Sequence, residues 1–207
     1  MNEVLPYPTE LVTSVFPVAG TIDQSELNKK GLFVMQGLDL QIAEQLIRLS
    51  FQEDVVTNCE GDSTDRFASI DSIINWQSRG RLPLPLIKQI GDSEMELAGF
   101  GWMGPEKLKE KEPNIPGAKT TFATRIYNGF IGDRNSLPYT RTILNVHREL
   151  YGNEGVWLAA WGDNIRALAT YEKAGFERAG ETMGLRHGQE VPRVYMAFRQ
   201  SRQETSS

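Results

Sequence analysis

The chain has 207 residues, 40% of them hydrophobic and 24% charged, and a formal net charge of −5, which is enough for one substantial core and short for two. The acidic balance argues against a general nucleic-acid or anionic-membrane binder, since those need a basic footprint, and it fits a cationic small molecule as partner. Cys59 is the only cysteine, and His147 and His187 are the only histidines, so neither a disulfide framework nor a thiolate or histidine metal site is expected.

No run approaches the about 20 apolar residues that cross a bilayer, and residues 1–8 lack the basic and apolar regions of a leader; a cytoplasmic location is expected. Residues 1–30, with Pro6, Pro8, Pro17 and Gly20, show no sustained period. They are expected to form an extension lying on a domain that covers 31–199, with 200–207 as a frayed polar tail.

The texture changes at Gly31. A strand is predicted over 32–35, and then a helix capped by Asp39 with Leu40, Ala43, Leu46 and Ile47 on its apolar face. Residues 51–66 are polar and acidic and are predicted as a loop. A second helix fits 68–78 and ends near Arg79-Gly80. Pro83 and Pro85 mark the entry to a strand over 86–90, Gly91-Asp92 supplies a turn, and 95–103 gives the partner strand of a hairpin. A charged, proline-containing loop over 107–117 precedes a strand at 121–127. The helix 138–151 should begin only a few residues before Pro138, because a proline deeper in a helix costs on the order of 3 kcal/mol; Asn135 or Ser136 is the expected cap. The last strand, 191–198, follows a turn-rich stretch at 184–192.

Residues 156–176 carry the most information. The aromatic-rich run 156–161, bounded by Gly155 and Gly162, suits a strand covered on both faces. Asp163 or Asn164 caps the following helix, whose apolar face holds Ala167, Leu168, Tyr171 and Ala174. Gly175 sits where a left-handed cap is needed, and Phe176 folds back onto the helix end. Taken alone, the pattern describes a well-capped helix after a core strand.

Asn164, Ala167, Tyr171, Lys173, Gly175 and Phe176 also reproduce the pattern N-x-x-A-x-x-x-Y-x-K-x-G-F. The stretch resembles the segment that flanks the acetyl-CoA thioester in the GNAT superfamily of N-acyltransferases, with Thr170 standing where that family more often has an apolar residue. The resemblance implies an α/β (α+β) GNAT acyl-CoA N-acyltransferase fold, a mixed, mostly antiparallel central sheet flanked by helices. With 176–179 counted as a strand, the order β-α-α-β-β-β-α-β-α-β-β over 31–199 agrees with it.

In that family a loop Q/R-x-x-G-x-G/A holds the CoA pyrophosphate, since glycines let backbone amides approach phosphates at a helix N-terminus. The corresponding stretch here is Gly129-Phe130-Ile131-Gly132-Asp133-Arg134, in which only Gly132 matches. Asp133 adds a negative charge. Arg134 is either a direct phosphate partner or a solvated loop residue. The resemblance places Gly132, Asp133, Arg134 and Asn135 around the pyrophosphate, the backbone of Ile126 and Tyr127 beside the thioester, and Asn164 on the pantetheine arm, unless it only caps its helix.

Tyr171 is the implied leaving-group acid, because a phenol with an ordinary pKa near 10 stays protonated at neutral pH; the alternative is a core aromatic. If Met95 and Leu97 face the core, strand alternation puts Glu94 and Glu96 together on the opposite face; they are candidates for the base, as is a water chain, and for acceptor binding, or are simply solvated. The acidic residues Glu53, Asp54, Glu60, Asp62 and Asp65 would steer a cationic amine, or form a solvated face. The implied activity is transfer of an acetyl group from acetyl-CoA, the co-substrate, to a primary amine of a small molecule or peptide by direct attack in a ternary complex. A non-catalytic acyl-CoA-binding or interaction module is the alternative, and a homodimer is left open.

Overall fold

Eight strands build one sheet in the order β1-β2-β3-β4-β5-β6-β8-β7, every neighbouring pair antiparallel except β5 with β6. They are β1 (Phe16–Pro17), β2 (Leu32–Gln36), β3 (Leu82–Gln89), β4 (Met95–Pro105), β5 (Ala118–Ile126), β6 (Gly155–Trp161), β7 (Glu177–Arg186) and β8 (Gln189–Phe198). The structure, a computed structural model, describes residues 10–12, 15–18, 21–59, 61–91 and 94–198. The tail 200–207, Asp92 of the expected turn and much of 1–30 lie outside them. No helix among the described residues is long and apolar enough to cross a membrane.

One face of the sheet is covered by α1 (Ile22–Asn28), α5 (Ser136–Tyr151) and α6 (Ile165–Ala174), around a core of Leu27, Leu84, Phe122, Ile143, Leu158 and Tyr171. The other face meets α2 (Leu40–Ser50) and α4 (Ile70–Ser78) around Leu46, Phe67, Trp76, Phe100 and Tyr127. Asp39 accepts a bond from the Ile42 amide, and Ser69 and Ser72 close a capping box on α4.

Four features depart from the sequence expectations. The stretch predicted as an acidic loop is α3 (Glu53–Asn58) and a π-type turn, Asp62–Arg66. The helix α1, in the stretch taken as an extension, is capped by Thr21 and buries Leu27 in the main core. Pro83 and Pro85 lie inside β3 rather than before it. The Pro83 carbonyl accepts the Gly37 amide, so the alternating pattern of a strand turns both proline nitrogens toward the end of β2, where no ladder bond is owed. Finally, residues predicted as turn-rich are the paired arms of the β7–β8 hairpin, whose tip is His187-Gly188.

Gly101 on β4 permits a close approach at the centre of the sheet. A Cβ there would sit 2.4 Å from Ile143 Cδ1 and 2.9 Å from the Tyr139 hydroxyl. Tyr139 of α5 donates to the Leu84 carbonyl at this point, which fixes α5 against the strands that carry the cleft.

Candidate active site

The strands β5 and β6 run parallel and pair only at their starts, Ala118 with Gly155, Thr120 with Val156 and Thr121 with Trp157. Beyond Thr121 and Trp157 they separate. β5 stays bonded to β4 through Ile126, and β6 to β8 through Trp161, so each strand keeps one edge satisfied and opens the other. The Tyr127 amide donates to the Ala98 carbonyl at 3.0 Å. By alternation, Arg125 also faces β4, while the backbone of Thr124 and Ile126 faces the gap. An extended polar chain can bond there as an added strand does.

A cavity of about 1690 Å³ runs through this gap from α5 and α6 on one face of the sheet to α3 and α4 on the other. Ten Lys and Arg side chains line it against six Asp and Glu. The cleft thus carries the opposite sign to the whole chain, which favours an anionic occupant.

Tyr171 stands where the strands part. It is 7% exposed, its ring packs edge-on against Phe122 and Phe176, and its hydroxyl lies 3.5 Å from Thr124 Oγ1. Burial pushes its pKa above the ordinary phenol value and bonds to the Thr124 side chain and backbone oppose that, so at neutral pH it is a proton donor. Asn164 caps α6 by accepting the Ala167 amide at 3.2 Å, and it also lines the cavity. Gly175 adopts the left-handed conformation (φ 102°), and the Phe176 amide closes back on the Tyr171 carbonyl. These local bonds aim α6, and with it the phenol.

The loop before α5 splits the candidate phosphate residues. Gly132 and Arg134 line the cavity beside Ser136 and Leu137, whose amides precede the first intrahelical bond, Tyr139 to Asn135. Arg166 and Lys173 of α6 line the same cavity. Asp133 and Asn135 do not line it. Asn135 is buried, accepts from Lys30 Nζ at 2.9 Å and donates to the Phe130 carbonyl, while the Asp133 carbonyl also accepts from Lys30. Those two residues brace the loop rather than face a ligand, and Asn135 makes no side-chain cap bond. Lys30, which the sequence pattern gave no reason to single out, is the brace.

On the other face the expectations need more correction. Glu94 and Glu96 are exposed and absent from the cavity lining; Glu96 pairs across the sheet with Lys88. Tyr127 is fully buried with its amide committed to β4, so it has none to offer into the gap. Asp62 and Arg125, 63 positions apart, instead form a buried ion pair at the floor of the cavity, with Arg66 also on Asp62 at 3.0 Å. The rings of Phe67, Phe100 and Tyr127 surround the Arg125 guanidinium at 5.5–6.0 Å. Beside them, burial pushes the Cys59 thiol up despite Arg125, so the one cysteine is protonated and a poor nucleophile.

Arg186 near the hairpin tip crosses to α3. Its guanidinium bonds Asp163, Asn58 Oδ1 at 2.7 Å and the Thr57 carbonyl at 3.2 Å. The β7–β8 hairpin thereby roofs one end of the cavity.

No protein-family model matches the chain, and no curated protein sequence matches it. Solved structures do. It is similar to the aminoglycoside acetyltransferase AAC(6')-Ib in complex with paromomycin and acetyl-CoA, at TM-score 0.58 and 16% identity over 81% of this chain and 94% of that one. It is similar to spermidine N-acetyltransferase from Vibrio cholerae in complex with CoA and spermine, at TM-score 0.66 and 14% identity over 83% and 96%. It is also similar to a GNAT-family acetyltransferase from Bacillus anthracis, at TM-score 0.59 and 12% identity over 80% and 94%. With its parted parallel strands and eight-stranded sheet, the chain has the fold of the GNAT acetyltransferases.

Proposed function

We propose that the protein is an N-acetyltransferase that uses acetyl-CoA as co-substrate and acetylates a primary amine of a small molecule or peptide. The observation that carries this reading is the separation of β5 from β6 with the Tyr171 hydroxyl at its apex. The pantetheine arm lies in the gap and bonds the free backbone edges, and the pyrophosphate rests on Gly132, Arg134 and the first amides of α5, with Arg166 and Lys173 nearby. Neighbouring structures of the same fold hold acetyl-CoA or CoA, which supports this donor.

In the reaction the acceptor's ammonium group first loses a proton to water, its neutral nitrogen attacks the thioester carbon, and the Ile126 amide stabilises the oxyanion. Collapse of the tetrahedral intermediate breaks the carbon–sulfur bond; Tyr171 protonates the departing thiolate and is reprotonated through water by the proton that the new amide nitrogen sheds. The protonated Cys59 on the cavity wall favours direct attack in a ternary complex over an acyl-enzyme. The acceptor arrives as a cation and enters from the side of α3, where Asp54 and Asp65 line the cavity.

Thiol release from acetyl-CoA over a panel of polyamines, aminoglycosides, amino acids and peptide N-termini tests the reading, alongside thermal unfolding with and without CoA. A ligand at about 100 times its dissociation constant stabilises by about 2.7 kcal/mol. Thiol release with at least one amine, and a raised midpoint with CoA, are expected. A midpoint unmoved at millimolar CoA would leave only the non-catalytic module.

A further inference from the structure

Two arginines hold one short segment from opposite halves of the split sheet. β5 and β6 part beyond Thr121 and Trp157, so the sheet falls into a half that ends at β5 and a half made of β6, β8 and β7. α3 and the π-type turn belong to the first half, since the chain forms them between β2 and β3. The turn is fixed there by Asp62, 1% exposed, which pairs with Arg125 of β5. The second half takes hold of the same segment at Thr57 and Asn58. One terminal nitrogen of Arg186, at the end of β7, donates to the Thr57 carbonyl and to Asn58 Oδ1, and the other binds Asp163 in the turn that follows β6. His187 Nε2 lies 3.3 Å from the same Thr57 carbonyl.

The apolar packing of α3 is slight. The helix has six residues, of which only Val55 is buried, and no side chain caps its start; a helix this short has no stability of its own in water. Its place therefore depends on the polar attachments. Asn58 and Asp62 are four positions apart, a length of chain that reaches at most about 14 Å, so the two attachments also limit how far the ends of β5 and β6 can stand from each other. Asp54, Asn58, Asp62 and Asp65 line the cavity. Thr124 and Ile126, on either side of Arg125, present their backbones to the gap. The segment that carries the acidic wall is thus tied directly to the strand that would hold the thioester.

Resting on the acetyl-transfer reading above, we infer that Arg186 and the Asp62–Arg125 pair are positioning residues: the two arginines strap α3 and its turn across the parted strands and so fix the seat of the acceptor relative to the thioester. Arg186 acts through Thr57, Asn58 and Asp163, to which both its terminal nitrogens are committed. Arg125 acts through Asp62.

Amide hydrogen exchange and steady-state kinetics on Arg186→Gln and on Asp62→Leu/Arg125→Met test this, with circular dichroism as the check on folding. The double variant replaces a buried ion pair by apolar side chains, a change that leaves folding intact where the new side chains pack well; should it not fold, Arg186→Gln decides alone. Peptides covering 53–59 are expected to exchange at least fivefold faster in Arg186→Gln, with 122–126 unchanged. For the amine turned over best by the wild type, KM should rise at least fivefold in each variant while the Kd for CoA by calorimetry stays within twofold. A lowered unfolding midpoint with wild-type KM and wild-type exchange at 53–59 would reduce the arginines to a stabilising role and overturn the inference while leaving acetyl transfer standing. So would a CoA affinity that falls in step with the rise in KM. No thiol release with any amine, together with no stabilisation by CoA, would remove the acetyl-transfer reading and the acceptor's seat with it.

Discussion

Replacing Tyr171 by Phe removes one oxygen from the point where β5 and β6 separate and leaves the ring in place. The ring is held edge-on by Phe122 and Phe176 at 6.1 and 5.7 Å, and none of that packing depends on the hydroxyl. The stability change is therefore the loss of one hydrogen-bond set to Thr124, about 0.5–1.5 kcal/mol, against about 3–5 kcal/mol for Tyr171→Ala, which would empty the ring's volume. Loss of a positioned proton donor lowers turnover by roughly 10²–10⁴. The expected signature is a kcat reduced by that factor, a CoA affinity by calorimetry that is unchanged, and a small shift in the unfolding midpoint. A kcat within threefold of wild type would take Tyr171 out of the chemistry and leave it as a core aromatic.

Asp62→Asn strips the buried Arg125 of its carboxylate; a loss of about 3–5 kcal/mol in denaturant unfolding is expected, and recovery in Asp62→Leu/Arg125→Met would show that the cost lies in the orphaned charge. Lys30→Met releases the brace on the Asp133 carbonyl and on Asn135, so the Kd for CoA should rise several-fold, corresponding to about 1 kcal/mol per bond, with no change in kcat at saturation. Gly101→Ala drives a methyl group into Ile143 and Tyr139, for an expected cost of about 1–3 kcal/mol by thermal unfolding. Burial lowers the His147 pKa from its ordinary value to about 4. The folded state therefore binds that proton less readily than the unfolded chain. The stability involved is present above pH 6.5 and is lost as pH falls through 4. An acid-unfolding midpoint unmoved in His147→Phe would contradict this.

The parts of the fold that could be read in the sequence are those whose cause is local. Asn164 and Gly175 punctuate α6 within a dozen residues, and Asp39 does the same at the start of α2, so both helices appear where expected. The π-type turn at Asp62–Arg66 is different. Its carboxylate is 1% exposed only because Arg125 on β5 neutralises it, and nothing near 62 announces that partner. No residue of β7 is buried, so it lacks the apolar alternation that marks a half-buried strand, and the end of its hairpin at 184–192 read as turns. α1 is seven residues long with only Gln24 and Leu27 buried, too short for a period. The same division runs through the site. Tyr171, Asn164, Gly132, Arg134 and Ile126 line the cavity and lie near the motifs that singled them out. Lys30 and Arg186 act across 103 or more positions of chain, and Glu94 and Glu96 were placed by strand alternation that says nothing about where the cleft runs.

Amide hydrogen exchange with and without saturating CoA tests the proposed seat of the pantetheine arm most directly. Peptides covering 122–126 and 157–161 present unpaired backbone edges to the gap, and slowed exchange in both on adding CoA is expected. Unchanged exchange in both strands, with CoA bound and protection appearing elsewhere, would contradict it.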